Sequence, residues 1–257
     1  MTERVCLVGN SHLIMLQKAW TELDPAPEGI DAVFFGALIR HYRELDRDEA
    51  RGVLVASGDL AKFFGRSSGG LTEIDPARYD RFVVVGMRIG IIEIYRALRN
   101  LIPSAHAGGS AEIRRLLSHD LFEIWVREYF EATAGFDLVR RLNAIAGKPV
   151  TLVPQPHVAN KLLASKMGSH LPPADDPLYA YLDGVFRAAV RAAAAAAGAE
   201  VRFQPESTLA GPGLSRPDYL AGAVSFSDRS FPDDDVGHMN AAFGRLILKD
   251  LGMIGGA

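Results

Sequence analysis

Three residue types that together can activate a hydroxyl stand at opposite ends of the 257-residue chain. Ser11 follows Val5-Cys6-Leu7-Val8-Gly9-Asn10, an apolar run that stops at a glycine. Asp235 and His238 stand three positions apart in Asp-Val-Gly-His. An unassisted serine is a weak nucleophile at neutral pH. An imidazole that takes its proton is worth roughly 10²–10⁴ in rate, and a carboxylate on the far ring nitrogen fixes the tautomer that leaves the near one free to accept. In a turn entering a helix, the Asp235–His238 offset keeps both side chains on one side, within reach of each other. Each residue also has a plainer reading. Serine is a favoured helix cap, and Asp233 to Asp235 could simply sit at the positive end of a helix dipole.

Whether the three meet depends on the elements that carry them. Val5 to Gly9 reads as a first strand, followed by a tight turn and a helix from Leu13 to Leu23. Asp31 to Gly36 is a second strand. Residues 37–80 form an excursion with a possible hairpin, in which Gly52 to Gly58 holds a strand and Gly65 to Gly70 a flexible turn. Phe82-Val-Val-Val85 is β-branched and apolar on both faces, as a central parallel strand covered by helices must be. Gly86 ends it, and Gly90 to Leu101 turns helical before Pro103.

Beyond a loop at 104–109, Ser110 is placed to cap a helix reaching about Leu117. Leu121 to Ala146 is helical, with a break expected at Gly135. Pro149 to Val153 and Glu200 to Gln204 read as the fourth and fifth strands, around a mobile connection at 158–176 and a helix from Leu178 to Ala197. After a loop-rich stretch at 211–230, Val236 to Leu251 is helical. Strands alternating with helices predict a parallel sheet between helix layers, joined by right-handed crossovers. The carboxyl ends of such strands share one edge, where ligands bind. That edge receives Gly9 to Ser11, Gly36, Gly86 to Arg88, Gln155 and Gln204 to Glu206, and the loop to Asp235 leaves from it.

Composition narrows the classes. There are 28 basic and 31 acidic residues, a formal charge of −3, with no cluster of Lys and Arg; this argues against a nucleic-acid partner. A lone cysteine, Cys6, sits inside the first strand and reads as a small buried hydrophobe. No charged-then-apolar leader is visible, and the most apolar run, Phe82 to Ile92, is interrupted by Arg88 and too short to span a bilayer. A cytoplasmic protein without a membrane span is expected. His41, His106, His119, His157 and His170 lack metal-ligand spacing, and no Cys/His set suggests zinc. There is no phosphate loop, no Gly-x-Gly-x-x-Gly after a strand and no Gly-x-Ser-x-Gly elbow. No metal or cofactor is expected. His12, beside the serine, reads as structural.

On these residues the chain resembles the SGNH (GDSL-like) hydrolase superfamily. Gly9-Asn10-Ser11-His12-Leu13 after an apolar strand is similar to that family's nucleophile block, and Asp235-Val236-Gly237-His238-Met239-Asn240 to its Asp-x-x-His block. The resemblance implies a flavodoxin-like three-layer α/β sandwich with a five-stranded parallel sheet. It spans 1–257 as one domain, with long insertions at about 37–80 and 87–147. It further implies Ser11 as nucleophile, His238 as base, Asp235 as its partner, and an ester substrate with its acyl group on a carbohydrate or lipid, hydrolysed or transferred.

One block departs. Where the family carries Gly-x-Asn, whose asparagine donates to the oxyanion, this chain reads Gly86-Met87-Arg88. Loss of one such donor costs on the order of 10²–10³ in turnover. Arg88 then replaces the donor, binds an anionic substrate group, or marks a weak or inactive member that binds a carbohydrate or acyl group. The backbone of Ser11 and Gly36, with Gly69 or Gly70 as the fallback, would supply the other donors. A nucleotide-binding flavodoxin-like domain is the remaining alternative.

Overall fold

The computed structural model describes residues 2–104, 115–226, 229–232 and 234–255. The chain opens with β1 (Glu3–Gly9), α1 (Leu13–Thr21) and β2 (Ile30–Gly36). The excursion then forms β3 (Leu45–Asp48), β4 (Val53–Ala56), α2 (Gly58–Ser68) and β5 (Glu73–Ile74). The expected hairpin is β3–β4, to which β5 adds a third antiparallel strand. The stretch expected to be a flexible turn at Gly65–Gly70 is instead mostly the end of α2, with Gly69 at φ 76 as its C-cap. Apolar Leu60 and Phe64, one turn apart, bury that helix against the core.

β6 (Arg81–Gly86) leads to α3 (Ile91–Ala97) and then β7 (Leu101–Pro103), which pairs in parallel with β8 (Arg115–Leu117). The expected helix from Gly90 therefore stops at Ala97, and residues 115–117 are extended rather than helical. Ser110 and the loop before it fall outside the described residues, as do His106 and Asp233. α4 (His119–Glu131) and α5 (Ala134–Ala146) follow. The break between them lies at Ala132–Thr133, ahead of Gly135. Gly135 lies inside α5, where a side chain would run into Ile89.

β9 (Val150–Pro154), α6 (Leu178–Ala196), β10 (Glu200–Val201), β11 (Leu209–Gly211), β12 (Leu214–Ser215) and α7 (Ala241–Asp250) complete the chain. The connection expected to be mobile at 158–176 contains two 3₁₀ turns and buries Leu162. The fifth strand is shorter than expected, two residues at 200–201.

Five strands form one all-parallel sheet in the order β10-β9-β6-β1-β2. This is the flavodoxin-like doubly wound order, and its switch point lies between β1 and β6. Alternation along each strand sorts side chains to two faces. Val5 and Leu7 of β1, with Val83 and Val85 of β6, pack on α1 and α7. Cys6, Val8, Phe82 and Val84 face the opposite layer, which includes Phe64 of α2, Leu142 of α5 and Phe186 of α6. The result is a three-layer α/β sandwich. Among the described residues no helix is long and apolar enough to cross a membrane.

Candidate active site

The turn after β1 serves the first amides of α1 without using the serine hydroxyl. Leu13 N–H donates to Asn10 O at 2.9 Å, and Ile14 N–H to Ser11 O at 3.4 Å. His12 N–H donates to Asn10 Oδ1 at 3.2 Å. The N-cap of α1 is His12, whose side chain caps nothing. Ser11 is thus not a helix cap, and its Oγ lies 2.9 Å from His238 Nε2. Its backbone N–H makes no hydrogen bond among the described residues.

His238 reaches this point from a loop, because α7 begins at Ala241 and not at Val236 as the periodicity predicts. The cause is local. Asp235 Oδ1 accepts the Gly237 N–H at 3.0 Å and the His238 N–H at 2.8 Å, closing a side-chain turn. Asn240 Oδ1, accepting from Phe243 N–H, is the true N-cap. The other oxygen, Asp235 Oδ2, sits 2.8 Å from His238 Nδ1. With Nδ1 donating to that carboxylate, Nε2 is left as the acceptor facing Ser11 Oγ. Buried Val236 and Met239 anchor the loop on either side of the imidazole.

The electrostatics fit this division of roles. Burial alone would raise the Asp235 carboxyl, but hydrogen bonds from the His238 ring and N–H, the nearby imidazole and the Gly237 N–H outweigh it, bringing the group to about 2. The carboxylate therefore stays ionised at any ordinary pH.

His12, expected to be merely structural and to point away, stacks on the His238 ring with centroids 4.8 Å apart and planes within 10°. Phe231 covers the opposite face at 3.8 Å. His238 is held between two flat rings that leave only its edge free to hydrogen-bond. Neither neighbour was legible beforehand. Phe231 carries no motif, and His12 follows the serine directly, which gives no sign of stacking.

Burial, then the charge of His238, pulls the His12 imidazole down to about 3, and its Nδ1 is buried without a partner. The unfolded chain would protonate this residue near 6.5. Its contribution to stability is therefore complete above that pH and is lost as pH falls from 6.5 towards 3, where the unfolded state binds the extra proton. His12→Phe should flatten the pH dependence of unfolding free energy in that window by up to about 1.4 kcal/mol per pH unit. Chemical denaturation at stepped pH checks this, and an unchanged slope would rule the titration out.

Ser11, His238 and Asp235 line a cleft of ≈ 370 Å³ together with Asn10, Arg88 and Gln155. A larger hollow of ≈ 570 Å³ between α4 and α6 holds none of the three. Of the remaining sequence candidates, Gly86 abuts the site from the end of β6. At φ 77, a Cβ there would lie 2.3 Å from Asn10 Oδ1, so only glycine lets that amide pack. Met87 and Arg88 follow at φ 52 and 62, a left-handed conformation that costs a non-glycine residue about 1–2 kcal/mol. Arg88 points outward into the cleft.

Gly36 is not among the residues lining the cleft, and its N–H donates to Ser67 Oγ at 2.9 Å. Gly69 and Gly70 lie at the end of α2 and likewise do not line it. Asn10, missed in the sequence, does. Its Oδ1 is fixed by the His12 N–H, and its amide nitrogen has no hydrogen bond among the described residues. Among those residues no cluster of His, Cys, Asp or Glu could hold a metal ion.

No protein-family model matches the chain, and no curated protein matches it. Two solved structures are matched at low identity. A protein from Lactobacillus plantarum is 14% identical, with a TM-score of 0.41, over 98% of this chain and 95% of that one. The periplasmic domain of a lipopolysaccharide acetyltransferase from Salmonella ser. Paratyphi A is 10% identical, with a TM-score of 0.41, over 98% of this chain and 83% of that one.

Proposed function

We propose that the chain is a one-domain SGNH-type serine ester hydrolase or acyltransferase, with Ser11 as nucleophile, His238 as general base and Asp235 as the group that orients it. The observation that carries this reading is the pair of contacts on one imidazole, 2.9 Å from Nε2 to Ser11 Oγ and 2.8 Å from Nδ1 to Asp235 Oδ2.

In the first half-reaction Ser11 Oγ attacks the ester carbonyl carbon while its proton passes to His238 Nε2. The tetrahedral oxyanion collapses, the C–O bond to the alcohol breaks, and His238 returns the proton to the leaving oxygen. Water, or the hydroxyl of an acceptor, then gives its proton to His238 and attacks the acyl-enzyme. Collapse of the second intermediate restores Ser11 and releases an acid or a new ester. Asp235 stays ionised throughout and balances the imidazolium.

In this reading two donors without a hydrogen-bond partner among the described residues, the Ser11 N–H and the Asn10 side-chain amide, would hold the oxyanion. Asn10 would thereby supply from the nucleophile turn what the asparagine of Gly-x-Asn supplies in SGNH enzymes. Preorganised donors of this kind give the largest single contribution in many acyl transfers.

A fluorophosphonate probe followed by intact-mass and peptide mass spectrometry tests the assignment. One phosphonyl group per chain on Ser11 is the expected result, accompanied by turnover of short-chain p-nitrophenyl esters. Absence of labelling in folded protein would turn the reading towards a binding protein without turnover.

A further inference from the structure

Arg88 is the outward-facing residue of an otherwise buried turn. Met87 and Ile89 on either side are fully buried. The turn is closed by Ile89 N–H to Gly86 O at 2.9 Å and tied to the next strand by Gln155 N–H to Ile89 O at 2.7 Å. Gly135 of α5 packs so closely behind that a Cβ there would come within 2.5 Å of Ile89 Cδ1 and 3.0 Å of Met87 Cβ. A rigid, strained backbone thus presents one guanidinium to the cleft that holds Ser11. Strain of this kind persists where the surroundings enforce it and clusters at ligand sites.

Two of the other carboxylates lining the cleft have partners. Glu93 accepts from Arg96 at 2.8 Å and from Tyr129 at 3.2 Å, and Asp235 is bonded to His238. Arg88 makes no hydrogen bond or ion pair among the described residues. Asp234, on the loop that carries Asp235, is exposed and lines the same cleft, without an ion pair to Arg88 among the described residues.

We infer that Arg88 recognises an anionic group, a carboxylate or a phosphate, carried by the ester substrate near the bond that Ser11 attacks. The inference rests on the reading of Ser11 as nucleophile. A guanidinium is a planar fork of donors that matches either oxyanion in bidentate fashion. In the proposed reading the Ser11 N–H and Asn10 would hold the developing carbonyl oxyanion, which leaves Arg88 for a charge the substrate brings.

The test uses matched ester pairs. Meta-acetoxybenzoate and the mono-para-nitrophenyl ester of adipic acid are each compared with the neutral methyl ester, and para-acetoxyphenyl phosphate with its neutral dimethyl triester. At low ionic strength at least one anion should exceed its neutral partner in kcat/KM by about ten-fold or more, the lower end of what a hydrogen bond to a charged group contributes. The preferred pair distinguishes carboxylate from phosphate. Arg88→Met should bring the ratio close to one, Arg88→Lys should keep part of it, and added salt should shrink it.

Ratios near one for every pair in the wild type would overturn the proposal. So would an equal fall in kcat for both members of a pair in Arg88→Met, the signature of an oxyanion donor. Should no ester be turned over at all, calorimetric titration of benzoate and phenyl phosphate into wild type and Arg88→Met decides independently. Binding lost in the variant supports anion recognition without hydrolysis, and no binding to wild type removes it.

Discussion

Ser11→Ala is expected to lower kcat for ester turnover by a factor on the order of 10⁴–10⁶, with KM changed little. The size follows from the chemistry, since Ser11 is the hydroxyl shown hydrogen-bonded to the His238 ring among the described residues. Stability should hardly respond. The Ser11 hydroxyl makes one side-chain hydrogen bond and caps no helix. Its loss leaves His238 Nε2 facing an open cleft, where water can take its place. A change within about 0.5 kcal/mol is therefore expected. Steady-state kinetics beside a denaturation curve separates the two effects. A loss of activity below about ten-fold would show that another group is the nucleophile.

The second large effect is expected far from the chemistry, at Gly244→Ala. A Cβ at this position of α7 would lie 2.1 Å from Met15 O and 3.0 Å from the Ala19 Cβ of α1. The obstacle is backbone and cannot swing aside, so α7 must move off α1. Overpacking of this kind typically costs about 1–3 kcal/mol, and more when backbone itself has to shift. Activity should fall along with stability, because α7 is capped by Asn240 two residues after His238. Gly65→Ala provides the contrast. That glycine lies inside α2 with no atom within 4 Å of an added Cβ, and alanine there should stabilise by about 0.5–1 kcal/mol. Urea denaturation of both variants tests the pair, and equal midpoints would contradict the close approach of α1 and α7.

These two positions also mark what was legible in the sequence. β1, β2 and β6 announced themselves by apolar runs ending in glycine, and Phe82 to Val85 was readable as central because it is apolar on both faces, which are indeed buried. Types, spacing and the shared sheet edge allowed Ser11, Asp235 and His238 to meet without requiring it, and only the resemblance grouped them in one site. What stayed hidden depends on contacts distant in sequence.

The start of α7 was misread because Asp235 takes the Gly237 and His238 amides into its own turn, a competition that hydrophobic periodicity does not register. Helical periodicity at 115–117 gave way to pairing with residues 101–103. The stacking of Phe231 and His12 on His238 has no signature in composition or spacing. The turn of Arg88 could be seen as a departure from Gly-x-Asn, while its left-handed backbone and buried flanks could not.

The closing of α7 onto α1 has a consequence for synthesis. Ser11 and His238 are 227 residues apart in the chain, yet share one hydrogen bond. At about 5–20 residues per second on the ribosome, roughly 11–45 s pass between making the first and making the second. Throughout that interval the growing polypeptide carries the hydroxyl without its proton acceptor. The strand layer can form beforehand, but the Ser11–His238 hydrogen bond forms in one late step, when α7 docks and the loop before it brings the imidazole into place.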